Sequence, residues 1–248
     1  MKRLAGKIAL VVGESRGIGA GIVRKLASEG ASVAFTYVNA TSAATALENE
    51  LIADGGKAFA IKADVAVADQ MAMAISKAQD HYGPIDILVN NAGLFVAASV
   101  NDADPDSPAL LGMLEVNVKG VVRTVSAVAR QMKPGGRIIT IGSGAAARTP
   151  FAGIADYAAT KAALAAYTRG WARDLADRRI TVNIVQPGLI DTDLKPDNEG
   201  AIKSLLQPVA LGRFGTPAEV GNMVAFLASD DASYVTGATI NVDGGWSA

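Results

Sequence analysis

The sequence predicts an α/β fold: a single doubly wound domain over residues 1–248, its mostly parallel sheet covered by helices on both faces. Three observations predict it. Short apolar runs alternate without a break with helical patterns, which implies parallel strands joined by right-handed crossovers. Apolar residues make up 50% of the chain and aromatics only 5%, so the core is Ala, Val, Ile and Leu, as suits strands buried on both faces. The glycine, asparagine, serine and proline signals fall just after the apolar runs. Those are the carboxyl ends of strands, where open sheets bind ligands. A barrel of eight units would need more elements than the chain supplies.

Lys7 to Val12 is a continuous apolar run that enters a glycine turn, and so reads as a buried strand. Gly17 to Glu29 has an apolar face of Ile18, Ile22, Val23 and Leu26 and ends at Gly30, as a helix does. Ser32 to Tyr37 is the second strand. Thr41 to Asp54 is the second helix, with Thr41 as its cap and Gly55-Gly56 as its stop. Strand three is Ala58 to Ala63 and helix three Val67 to His81. The apolar fourth strand, Ile85 to Val89, leads into Asn90-Asn91-Ala92-Gly93. One long helix is expected over Ala109 to Met132. Strand five is Arg137 to Ile141, followed by a loop and a helix that runs to about Asp177. Ile180 to Val185 is strand six, stopped by Pro187-Gly188. Residues 189–209 are polar and irregular, with a short helix at Ala201 to Leu206. A helix over Pro217 to Ala228 has Thr216 as cap and Pro217 at its first position. Ala238 to Val242 is the last strand.

Several function classes fall away on composition. Lys and Arg number 23 against 24 Asp and Glu, a net charge of −1, so nothing points to nucleic acid or an anionic membrane. Cysteine is absent, which excludes disulfide and thiolate chemistry and fits a reducing cytoplasm. No run approaches a membrane span, and the N-terminal residues pass straight into a strand, so no leader is expected. His81 is the only histidine, and no multi-histidine metal site can form. It ends a helix, where an imidazole meets the helix dipole favourably.

Two stretches carry chemistry. Gly13-x-x-x-Gly17-x-Gly19 joins strand one to helix one, where glycines let the backbone approach a pyrophosphate at the helix N-terminus. Alone, the pattern also fits an ordinary turn. The end of strand two, Phe35-Thr36-Tyr37-Val38-Asn39, has no carboxylate for the ribose hydroxyls of NAD. Arg16 could neutralise a 2′-phosphate and Asn39 and Thr41 could hydrogen-bond it, so NADP(H) is favoured over NAD(H). The second stretch runs from Ser143 to Lys161. Tyr157 and Lys161 lie four apart on one helix face, where an ammonium would lower the phenol's pKa and ready it for proton transfer. A long helix can also carry that pair by chance.

Taken together, Gly13-x-x-x-Gly17-x-Gly19, Asn90-Asn91-Ala92-Gly93, Asn117, Ser143, Tyr157-x-x-x-Lys161 and Pro187-Gly188 resemble, in order and spacing, the short-chain dehydrogenase/reductase family. The C-terminal runs Gly212 to Val220, Tyr234 to Ala238 and Asn241 to Gly245 are similar to its 3-oxoacyl-carrier-protein reductase branch. The resemblance implies a Rossmann-type domain with a seven-stranded sheet. It also implies roles. Ser143 would hold a substrate carbonyl, Tyr157 would exchange a proton with it, and Lys161 would tune Tyr157 and bond the nicotinamide ribose. Asn117 would hold a water that links Lys161 to solvent. For the dinucleotide it implies Gly13, Ser15, Arg16, Gly17, Ile18 and Gly19, then Tyr37, Asn39 and Thr41. Asp64 and Val65 would meet adenine, and Asn90, Ala92 and Gly93 the adenosine ribose. Tyr157, Lys161, Pro187, Gly188, Ile190 and Thr192 would meet the nicotinamide half.

Two departures stand out. Val12 replaces the family's usual Thr before the first glycine, so a side-chain hydrogen bond toward the Asn90 turn is lost. The Ser143–Tyr157 spacing is one residue longer than in many relatives, which should reshape the pocket wall around Thr149-Pro150-Phe151. The acids Asp191, Asp193, Asp197 and Glu199 read as a solvated lid over 189–209, and Trp246 as a subunit contact or a pocket wall. The resulting expectation is a cytoplasmic, NADP-dependent carbonyl reductase or alcohol dehydrogenase acting on a ketone or secondary alcohol, and a homotetramer on the family's pattern. A 3-oxoacyl thioester reductase and a non-catalytic dinucleotide-binding regulator are the alternatives.

Overall fold

A computed structural model of the chain describes residues 2–13, 16–102, 104–193 and 195–248. Seven strands form one sheet in the order β3-β2-β1-β4-β5-β6-β7. They are β1 (Ile8–Val12), β2 (Ser32–Tyr37), β3 (Lys57–Lys62), β4 (Ile87–Asn90), β5 (Arg137–Ile141), β6 (Thr181–Pro187) and β7 (Thr239–Val242). Every pairing is parallel, so the expected sheet is parallel throughout. The order reverses between β1 and β4, which puts the switch point at Gly13 and Asn90.

Alternation along the central strands divides the core in two. Ala9 and Val11 of β1, Ile87 and Val89 of β4, and Ile139 and Ile141 of β5 face one way. They meet α1 (Gly17–Ser28), α2 (Thr41–Ala53) and α8 (Pro217–Ala228). Leu10, Leu88 and Ile138 face the other way, against α3 (Ala68–Tyr82), α5 (Val121–Gln131) and α6 (Ala155–Asp174). Each Leu or Ile so buried contributes about 1.5–3 kcal/mol relative to exposure.

Three local expectations need correction. Ala40, not Thr41, is the N-cap of α2, and no side chain caps it; Thr41 is already helical. The long helix expected over 109–132 is three pieces: α4 (Pro108–Leu114), a π turn at Glu115–Gly120, and α5. The short helix of the 189–209 segment starts two residues early, as α7 (Glu199–Leu206), because the Asn198 side chain accepts from the Ala201 N–H and caps it there. At α8 the reading holds. Thr216 and Glu219 form a reciprocal capping box with Pro217 in the first turn, and Arg213 forks onto Glu219 at 2.7 and 3.1 Å.

Candidate active site

At the β1–α1 turn two loops pack backbone against backbone. Gly13 has φ +82°, and a Cβ there would lie 2.4 Å from the Cα of Ala92. Only glycine fits that approach. The turn is fixed from both sides. The Gly13 N–H donates to the Thr36 hydroxyl at 3.0 Å, and the Asn91 side chain donates to the Gly13 carbonyl. Val12 still joins the two turns, since its carbonyl accepts from the Asn91 and Ala92 N–H groups at 3.0 and 2.7 Å. Thr36 and Asn91 thus take over the anchoring that a threonine at position 12 would have given. Sequence reading missed both, because nothing local marks contacts across 23 and 78 residues.

A cleft of about 670 Å³ opens over this turn at the sheet's switch point. Of the residues read as dinucleotide contacts, the loop residues Gly13, Arg16, Gly17, Ile18 and Gly19 line it. So do Tyr37, Asn39, Asp64, Val65, Ala92, Gly93 and Thr192. Ser15 lies outside the described residues. Thr41 is exposed and beyond the cleft lining. Ile190 turns its side chain into the core and against Gly215. Pro187 is buried at the end of β6 and Gly188 packs on Asp243; neither lines the cleft. Asn90 is buried beneath it, with its Oδ1 unpartnered. Val38, Ala40, Asn91, Leu94, Val116 and Asp193 also line the cleft, and the sequence reading did not name them as contacts. The residues suit a dinucleotide phosphate. A helix N-terminus and positive-φ glycines face the cleft, a guanidinium borders it, and no carboxylate ends β2.

The candidate catalytic side chains converge beside Gly93. Lys161, 4% exposed, donates from Nζ to the Ile141 carbonyl at 3.2 Å. A Cβ on Gly93 would sit 3.1 Å from that nitrogen. Nζ lies 5.8 Å from the centroid of the Tyr157 ring, one turn back on α6. Burial lowers the Lys161 ammonium to about 8. Burial also pushes the Tyr157 phenol up, and its hydrogen bond with Ser143 pulls it partway back. The net direction is thus upward and not the lowering expected, because desolvation is the larger influence on the Tyr157 phenol. Ser143 caps a 3₁₀ turn at Gly144–Ala146, its Oγ accepting from the Ala145 N–H at 3.2 Å.

Asn117 sits in the π turn and is fully buried. Its Oδ1 accepts from the Leu94 N–H at 2.7 Å. Its Nδ2 donates to the Leu94 carbonyl at 2.9 Å and to the Thr160 hydroxyl at 3.1 Å. Both amide protons are therefore committed, and the side chain has none left to donate to a water. It clamps the β4 exit loop to α6, one residue from Gly93 and one from Lys161.

The walls around Tyr157 are apolar. The Phe95 ring meets Tyr157 edge-on at 5.0 Å and is 54% exposed. Trp246, 4% exposed, packs under Gly144 with Ala145, Ile154 and Ala158, and Leu206 of α7 borders that cluster. Trp246 is thus a wall of this site. Two of the four acids after β6 are paired with cations: Asp191 with Lys195 and Asp193 with Arg16, at 3.1 and 3.2 Å. Among the described residues no three His, Asp or Glu side chains gather as a metal would need.

Known proteins resemble this chain along nearly its whole length. The family profile described as Enoyl-(Acyl carrier protein) reductase matches residues 12–247. The cyclic-di-GMP-binding biofilm dispersal mediator protein of Escherichia coli is 42% identical, over 100% of both chains. A 3-oxoacyl-[acyl-carrier-protein] reductase of Synechocystis sp. is 40% identical, over 99% of this chain and 98% of its own. Among solved structures, a short-chain dehydrogenase/reductase from Serratia marcescens is 49% identical with a TM-score of 0.96, covering 99% of this chain and 100% of that one. A blue fluorescent protein from a metagenomic library, in complex with NADPH, is 47% identical with a TM-score of 0.94 at the same coverage.

Proposed function

The chain belongs to the short-chain dehydrogenase/reductase family of oxidoreductases, and from that premise we propose that it is an NADP(H)-dependent carbonyl reductase acting on apolar ketones. The observation that carries the reading is the convergence of Ser143, Tyr157 and Lys161 beside Gly93, at the edge of the dinucleotide cleft. In this reading Gly13, Gly17 and Gly19 admit the pyrophosphate, and Arg16 with Asn39 meets the 2′-phosphate. When bound, the nicotinamide supplies or accepts the hydride. The NADPH-complexed relative supports NADP(H), and the missing carboxylate after β2 supports it over NAD(H).

The chain's own residues handle the oxygen and the proton. The Ser143 hydroxyl accepts from the Ala145 N–H with one of its two lone pairs and can turn its proton toward a substrate carbonyl. Tyr157 holds its proton at neutral pH, so it can deliver that proton to the same oxygen as negative charge develops. The Lys161 ammonium favours the phenolate that results. In the alcohol-oxidising direction the same groups run in reverse. Asn117 holds Leu94 and Thr160, and so keeps the floor under this set rigid.

Substrate choice falls to the apolar walls and the lid. Helix α7 has no buried residue, which is the low-stability character of a segment that opens. We place the lid at 189–209. Phe95, Phe151 and Leu206 favour a flat or aliphatic ketone over a charged one. A 3-oxoacyl thioester remains the nearest alternative substrate, supported by the acyl-carrier-protein reductases among the relatives. Among the described residues no helix is long and apolar enough to cross a membrane; on the NADP(H) reading, we propose the cytoplasm as its location. The second reading, a dinucleotide-binding regulator without turnover, is favoured by the similarity to the biofilm dispersal protein.

A ketone panel with NADPH separates these readings. Wild type should oxidise NADPH with at least one apolar ketone, and Tyr157→Phe should lose roughly 10²–10⁴-fold in rate while NADPH binding persists. Tight NADPH binding without turnover on any carbonyl would favour the regulator. Retained turnover in Tyr157→Phe would remove Tyr157 as proton donor.

A further inference from the structure

One ion pair crosses the cleft. Arg16, at the entrance to α1, meets Asp193 at 3.2 Å, with side chains 68% and 69% exposed. They come from opposite walls, and both border the cleft near Tyr37 and Asn39. Arg16 belongs to the glycine turn and Asp193 to the segment after β6. The neighbour of Asp193, Thr192, lies over Gly17, its methyl 3.2 Å from where a Cβ there would stand. Asp191, the other acid of this short stretch, is already bonded to Lys195.

Resting on the NADP(H) reading above, we infer that Asp193 is a positioning residue for Arg16 that competes with the dinucleotide 2′-phosphate and so tunes the choice between NADPH and NADH. A guanidinium takes a carboxylate and a phosphate through the same fork of N–H donors. A 2′-phosphate must therefore displace Asp193 or stand beside its negative charge. The phosphate carries the larger charge and prevails. NADH brings no group to that position and leaves the Arg16–Asp193 bridge closed. The bridge thus ties release of the lid's first residues to arrival of the phosphate, and it holds NADPH preference below the level Arg16 alone would give. Because both partners are exposed, the effect is small: ion pairs of this kind correspond to at most about fivefold in a binding constant.

The test is equilibrium binding of NADPH and of NADH, followed by nicotinamide fluorescence, with wild type, Asp193→Asn, Asp193→Glu, Arg16→Ala and the Arg16→Ala/Asp193→Asn double variant. Asp193→Asn should tighten NADPH by about two- to fivefold and leave NADH near its wild-type value. The gain should shrink in high salt. Asp193→Glu should restore wild-type behaviour, and in the Arg16→Ala background Asp193→Asn should change nothing. An unchanged NADPH affinity in Asp193→Asn would overturn the inference, as would an equal change for both dinucleotides or a gain that persists without Arg16. Wild type that binds neither dinucleotide would overturn the cofactor reading itself, and this inference with it.

Discussion

Lys161 carries its charge where burial opposes it. Its folded-state value of about 8 lies below its ordinary 10.5. Between those two values the unfolded chain binds more protons than the folded one, so stability rises with pH across that window and the penalty is complete below it. At neutral pH the penalty is on the order of 3 kcal/mol. Wild type should therefore gain stability in urea unfolding from about pH 7 to about pH 9.5, and Lys161→Met should lack that rise. The range stops short of 10.0, the ordinary value for tyrosine, because the raised Tyr157 phenol acts in the opposite direction above it. An identical rise in Lys161→Met would assign the effect to another group. At this scale the sequence was informative where chemistry is local. Residue type and spacing singled out Tyr157 and Lys161, and the resemblance to the family joined Ser143 to them. The raised phenol was not, because desolvation depends on neighbours such as Phe95 that only the fold supplies. The Thr36 and Asn91 anchors were equally invisible, since each reaches Gly13 across the switch point.

The elements repeat that division. The strand after each apolar run and the caps of α8 followed from propensity and turn chemistry. The π turn at Glu115–Gly120 did not, because helical periodicity cannot register one extra residue in a turn. Its cause is tertiary: the Asn117 amide is bonded to Leu94 and Thr160. Asn117→Ala removes the partner of the part-buried Leu94 N–H and carbonyl and of the buried Thr160 hydroxyl. It should cost about 1–2 kcal/mol in unfolding free energy and lower turnover, because Gly93 and Thr160 lose their clamp. Lys119→Ala in the same turn is exposed and should stay within about 0.5 kcal/mol of wild type. If the two variants are equally mild, Asn117 is not the clamp. Thr41 shows the converse error. Its residue type suits a cap, but the chain enters α2 one residue earlier and leaves Thr41 helical, exposed and outside the cleft.

At the scale of the whole molecule, the alternating pattern was enough to give seven strands and their parallel sense, and the sheet order then brought the Gly13 and Asn90 turns together. We propose that a homotetramer buries the exposed apolar side chains on α4 and α6, among them Leu111, Leu114 and Tyr167, the last stacked on Trp171 at 5.0 Å. Sedimentation velocity at micromolar concentration should show a species near four times 25.3 kDa, and a monomer there would remove that proposal. What the fold and the site jointly claim is hydride exchange with a carbonyl carbon held by Ser143 and Tyr157. The most direct measurement uses NADPH deuterated at the transferable nicotinamide position, a ketone found active in the panel, and mass spectrometry of the alcohol formed. The account predicts one deuterium on the carbinol carbon, with the rate of transfer lowered roughly 10²–10⁴-fold in Tyr157→Phe. An alcohol without the label, or label transfer undiminished in Tyr157→Phe, would contradict it.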